Sequence, residues 1–120
     1  NYPYQLGTGS KTVPSDADNY EISLQEEDII VVGSDGLFDN LYEEHIIDIV
    51  NNLKKGKQLN DVNPELIANK LLKEAVDISR DTRANSPFET EATQEGIFFQ
   101  GGKTDDISIF VAFIEKESEF

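Results

Sequence analysis

Four β-branched residues in succession, Ile29, Ile30, Val31 and Val32, stop abruptly at Gly33-Ser34-Asp35-Gly36, and this run constrains the fold more than any other feature. β-branched side chains favour extended backbone, and a run without polar alternation requires a strand covered on both faces. A second strand is predicted over 107–114, where Ile107, Ile109, Val111 and Phe113 alternate with Ser108, Phe110, Ala112 and Ile114. Both of its faces are largely apolar, so it too is expected to be buried. Upstream, Tyr20, Ile22 and Leu24 alternate with polar residues as a half-buried strand would. With Gln25-Glu26-Glu27 as a polar turn, residues 20–33 are expected to form an antiparallel hairpin.

Between the apolar runs the period changes from two to between three and four. Tyr42, Ile46, Ile49, Val50 and Leu53 predict an amphipathic helix over 42–55, with Lys54 and Lys55 in its last turn and Gly56 just beyond. A second helix is expected over 63–82, opened by Asn63 as cap and Pro64 at the first helical position. Its apolar face carries Ile67, Leu71, Ala75 and Ile78. Residues 1–19 have loop composition, with two of the four prolines and no period. Residues 80–106 mix charge, Ser-Pro and glycine around one short helical stretch near Phe88 to Thr93; a segment this irregular is often functional. Residues 115–120 form a polar tail. The elements together describe an α+β fold in a single domain over 1–120.

Charge narrows the chemistry. The chain of 120 residues has 24 acidic and 10 basic side chains, a net charge of −14. Nucleic acid is disfavoured, because its phosphates must be met by Lys and Arg, and so is an anionic membrane surface. A divalent cation or a basic partner is favoured. With no cysteine, zinc-thiolate sites and a thiolate nucleophile are excluded. No apolar run approaches the roughly 18 residues of a membrane helix. The Asn-Tyr-Pro-Tyr start has no basic region or apolar core of a targeting peptide and reads as a cut into a longer chain.

Acidic turns border the two apolar strands. Asp35-Gly36 follows the first, and Asp105-Asp106 precedes the second. If the strands are adjacent and antiparallel, Asp35 and Asp105 meet at one rim of the sheet. Two such anions repel by roughly 4 kcal/mol at 4 Å and an effective dielectric near 20, which a shared proton or a bound cation would relieve. Oxygen ligands suit magnesium or manganese. Gly36 would permit a left-handed turn and close approach. The same residues equally suit an ordinary turn that solvates the rim. His45, the only histidine, lies on the polar side of its helix and is expected to be solvated. Asp39 and Asn40 are expected to cap the following helix, and Lys103, Arg80 and Arg83 to serve as surface charges, although each is a cation a phosphate would accept.

The segment from Asp28 to Asn40, with its core Gly33-Ser34-Asp35-Gly36-Leu37-Phe38-Asp39, resembles the strand and S/T-D-G-L-F/W-D motif of the type 2C protein phosphatases. Gly101-Gly102-Lys103-Thr104-Asp105-Asp106-Ile107-Ser108 is similar to their C-terminal G-x-x-D-N/D-x-S/T motif, in the right order and at a fitting separation. The opening Pro3-Tyr4-Gln5-Leu6, Ala17-Asp18, Asn85-Ser86-Pro87-Phe88 and Gly101-Gly102-Lys103 resemble one branch, the mitochondrial-type phosphatases related to T-cell activation protein phosphatase. The resemblance implies the C-terminal half of a four-layer α-β-β-α sandwich. The activity it implies is removal of phosphate from phosphoserine or phosphothreonine in proteins by water activated at two magnesium or manganese ions. Asp35 and Asp105 would be metal ligands, with Gly36 and Asp106 in supporting positions beside them. The family's other metal ligands, its phosphate-binding arginine and its general-acid histidine belong to motifs absent from this chain. The chain alone is therefore expected to be inactive, and to associate with itself or with the missing half of its domain. A catalytically dead phosphatase-like module that holds a basic partner is the alternative. Only the resemblance bears on location, and it points to mitochondria or cytoplasm.

Overall fold

Strand β1 (Ile29–Gly33) pairs antiparallel with β2 (Ile109–Phe113), in a register that sets Ile29 opposite Phe113 and Gly33 opposite Ile109. This adjacency is the one the acidic turns require. The computed structural model describes residues 5–117. The other elements are a single helical turn α1 (Asp35–Phe38), α2 (Glu43–Lys54), α3 (Pro64–Arg80) and α4 (Pro87–Gln94), with short 3-10 turns at Pro14–Asp16 and Leu59–Asp61. The fold is thus α+β: four helices and a two-stranded antiparallel sheet among the described residues. None of the helices is long and apolar enough to cross a membrane.

Local chemistry accounts for the helices. Asn63 Oδ1 accepts the Glu65 amide at 2.9 Å, a cap for one of the N-terminal amides that α3 cannot satisfy itself. After α2, Gly56 takes φ +70°, a conformation glycine enters without a Cβ penalty. The expected cap from Asp39 or Asn40 is not made. The N-cap of α2 is Tyr42, without a side-chain bond, because both preceding residues are committed to the site described below.

The core lies between the helices and one face of the sheet. Leu37, Leu41, Ile46, Ile49, Val50, Ile67, Leu71 and Ala75 are buried, and Ile29, Val31, Ile109, Val111 and Phe113 pack against them. The opposite face of the sheet is open: Val32 is 54% exposed and Phe110, its register partner, 63%. Burial of both faces, expected from the unbroken apolar runs, is therefore not achieved within the described residues.

The expected hairpin over 20–33 also does not form. Its turn is present: the Asp28 amide donates to the Gln25 carbonyl at 3.1 Å, the Gln25 amide to Asp28 Oδ2 at 2.8 Å, and Glu27 takes φ 73°. Residues 20–24 make no ladder, and Tyr20, Ile22 and Leu24 stay 83%, 76% and 51% exposed. The Glu27 amide instead donates to the Ile114 carbonyl at 2.8 Å. An alternating strand is held by the surface its apolar side covers, and here it has none. The remaining described residues of the 1–19 loop and the 115–120 tail are without helix or strand apart from the 3-10 turn at 14–16. Residues 1–4, with Pro3 and Tyr4 of the branch resemblance, and 118–120 lie outside the described residues.

Candidate metal centre

The abrupt end of β1 is made by α1. Leu37 and Leu41, fully buried or nearly so, anchor this turn in the core, while the Asp39 amide donates to the Asp35 carbonyl at 2.7 Å. That bond places Asp35 and Asp39 four residues apart on one side of a helical turn, where side chains are neighbours. Asp105 arrives from the segment that leads into β2. One carboxylate oxygen from each of Asp35, Asp39 and Asp105 lies within 4.8 Å of the others. The two sequence-predicted aspartates therefore meet at the rim, and a third joins them.

Glycine is needed at Gly36 for a reason other than the left-handed turn expected there. Gly36 is buried in α1, and a Cβ on it would collide with the carbonyl of Asp106. Close approach of the second acidic segment is its role. Ser34 ties the same segments: its amide donates to the Ser108 carbonyl at 2.9 Å, its hydroxyl accepts the Ser108 amide at 3.0 Å and donates to the Asp106 carbonyl at 3.3 Å. Asp106 contributes through its backbone, since its amide donates to Asp105 Oδ1 at 2.8 Å and fixes that carboxylate. Its own carboxylate is outside the group of three.

Asn40, 2% exposed, makes the most complete connection. Its Nδ2 donates to the carbonyls of Gly36 at 2.8 Å and Lys103 at 2.9 Å, and its Oδ1 accepts the Lys103 amide at 2.8 Å. A buried amide with its partners satisfied fixes one arrangement of the loops it joins. Behind this joint, Gly102 packs so closely on α3 that a Cβ would strike the Ile78 carbonyl, and its amide donates to the Asp81 carbonyl at 2.9 Å. Gly101, at φ +95°, donates to Glu89 Oε2 at 2.8 Å and accepts the hydroxyl of buried Ser86 at 2.7 Å. The irregular 80–106 segment is thus a scaffold for Asp105, with α4 where the short helical stretch is expected near Phe88 to Thr93.

Charge and chemistry fit a hard divalent cation. The donors are carboxylate oxygens only, the set that suits magnesium or manganese. Burial first, then the charges of Asp35, Glu91 and Asp105, hold the Asp39 carboxyl above the usual carboxylate range, with Lys103 acting the other way. Three carboxylates gathered without enough positive charge are a cost that a cation would relieve. His45 is elsewhere: its side chain is 42% exposed, with Nε2 3.8 Å from Glu74 Oε2 on α3. Arg80 and Arg83 are exposed.

Asp39 was the residue that sequence reasoning missed. The signal was the i, i+4 spacing of Asp35 and Asp39, with Leu37 and Leu41 spaced likewise on the buried side. Reading Asp-Gly as a turn hid the helix that makes this spacing matter.

Comparison with known proteins shows the family of the chain. The profile of the family described as Protein phosphatase 2C matches residues 4–84. The chain is 37% identical over 116 residues to Probable protein phosphatase 2C 80 of Arabidopsis thaliana, across 95% of this chain and 27% of that protein. Probable protein phosphatase 2C 55 of the same organism is 32% identical over 99% of this chain and 25% of its own length, a match that takes in the second acidic motif. Among solved structures, the photosystem II phosphatase PBCP superposes with a TM-score of 0.77 at 29% identity, covering 94% of this chain and 46% of that one. The chain belongs to the protein phosphatase 2C family. It spans about a quarter of the length of these curated relatives.

Proposed function

We propose that the chain is the part of a protein serine/threonine phosphatase that supplies Asp35, Asp39 and Asp105 to a magnesium or manganese centre. The observation that carries this reading is the convergence of those three carboxylates within 4.8 Å, on the two segments that bear the family's acidic motifs. When bound there, a divalent cation lowers the pKa of water and neutralises charge on phosphoryl oxygens. The residues of this chain would hold and orient it: Asp35 and Asp39 from one helical turn, Asp105 with its carboxylate fixed by the bond from its neighbour's amide. The substrate class is the phosphoserine or phosphothreonine protein, and the reaction is phosphomonoester hydrolysis.

In the intact protein, turnover of a phosphothreonine peptide should require manganese or magnesium. Asp35→Asn should lower kcat/KM by about a hundredfold or more. Full turnover in the presence of a chelator, or in Asp35→Asn, would contradict the reading.

The isolated chain is expected to be inactive, because three carboxylates are only part of a two-metal site. Robust turnover by the chain alone, abolished by Asp35→Asn, would overturn that statement. Its open sheet face, with Val32 and Phe110 exposed, is expected to be covered by the rest of the domain, or by a second copy when the chain is alone. Light scattering that finds a monodisperse monomer with a cooperative melt would contradict this.

A further inference from the structure

We infer that Lys103 holds a phosphoryl oxygen of the substrate beside the three carboxylates, an inference that rests on the phosphatase reading above. Lys103 was expected to be a surface charge, but it is fixed at both ends. Its backbone amide and carbonyl are both bonded to the side chain of buried Asn40, at 2.8 and 2.9 Å. Its ammonium lies 4.9 Å from the centroid of the Phe88 ring, a cation–π contact. That ring is itself held, by an edge-to-face contact with Phe99 at 4.7 Å and by the Phe88 amide, which donates to the Asp39 carbonyl at 3.0 Å.

Asp39, Asn40, Lys103 and Phe88 thereby form a closed ring of contacts. The ring holds the ammonium on Phe88, whose amide is bonded to Asp39, and Lys103 lies two residues before Asp105. Yet among the described residues Lys103 makes no ion pair within 4.0 Å, and its ammonium donates no hydrogen bond. A lysine whose only purpose was to neutralise those carboxylates would be expected to touch one. An ammonium braced by an aromatic face keeps its three donors. The group that arrives at this site and needs such donors is a phosphate, for which lysine acts as a point charge.

The test uses the intact protein loaded with manganese, with two probes: a phosphothreonine peptide for turnover and inorganic phosphate for binding by calorimetry. Lys103→Gln should raise KM and weaken phosphate binding roughly tenfold, the loss of one charge-assisted hydrogen bond, with kcat within about threefold. Lys103→Arg should recover most of both. Manganese affinity should stay the same or rise, since a neighbouring cation has been removed. Unchanged phosphate affinity in Lys103→Gln would overturn the inference, as would an equal loss of manganese binding, which marks a merely structural lysine. Failure of the wild-type protein to turn over the peptide would instead sink the phosphatase reading, while phosphate binding still decides on Lys103.

Discussion

The two faces of the β1–β2 sheet are made from similar residues and meet opposite fates. On one, Ile29, Val31, Ile109, Val111 and Phe113 pack against the helical core; on the other, Val32 and Phe110 remain over half exposed. The difference lies in what the chain supplies to cover each face. The covered side carries everything that positions the acidic rim: α1 in the core, Asn40 between the loops, and Gly102 against α3. The open side carries no part of the candidate site. The three carboxylates are therefore brought together by the chain itself, while none of the described residues covers the opposite face.

The largest expected effect tests the covered side. Gly102→Val would drive a side chain into the Ile78 carbonyl, at a cost of about 3 kcal/mol, read in urea unfolding. A cost below about 0.5 kcal/mol, the ordinary range for surface changes, would show that the close packing on α3 is dispensable.

Next is Asn40→Ala, which leaves the Lys103 amide and the Gly36 and Lys103 carbonyls without their partner. A loss of about 1–3 kcal/mol is expected, together with weaker manganese binding as Asp105 loses its placement. Retained metal affinity would separate stability from site geometry and break the link drawn between them.

Asp39→Asn should act in opposite directions on stability and binding. The folded carboxyl titrates above its unfolded value, because burial and then the neighbouring negative charges disfavour its ionised form. The folded state thus binds more protons over that window, and stability falls as pH rises from the unfolded pKa through the folded one. Without metal at neutral pH, Asp39→Asn should raise Tm slightly, on the order of 2 °C given the exposure of the group, while weakening manganese binding. A fall in Tm would show that Asp39 is a structural acceptor and not a strained ligand.

The smallest effect belongs to the open face. Val32→Ser in the isolated chain should change stability by no more than about 0.5 kcal/mol while reducing self-association in light scattering. A large destabilisation would mean that this face is already covered.

The contrast between the faces also explains what could be read from the sequence. Ile29 to Val32 and the 107–114 pattern foretold two strands, with their pairing left as a condition, and the 42–55 and 63–82 periods foretold α2 and α3, because covered apolar faces leave a periodic trace. The meeting of Asp35 and Asp105 followed from that pairing. The 20–24 strand was expected for the same kind of reason and does not form, since alternation records a face to be covered but not whether this chain holds the cover. Asp39 and Asn40 read as caps in the sequence because polar residues after a turn commonly serve as caps. Their work depends on a one-turn helix that the Asp-Gly signal disguised. The scaffold around 80–106 rests on single contacts of Ser86, Gly101 and Gly102, which have no period.

Whether a divalent cation sits among Asp35, Asp39 and Asp105 is the central claim, and manganese is its own probe because it broadens nearby amide signals. Titrated at low ratio into the chain, it should selectively broaden the amides of residues 35–39 and 103–107, and Asp35→Asn should suppress that pattern. Broadening centred elsewhere on the acidic surface, for example at Glu26 and Glu27 beyond the far end of β1, or a pattern unchanged in Asp35→Asn, would contradict the account.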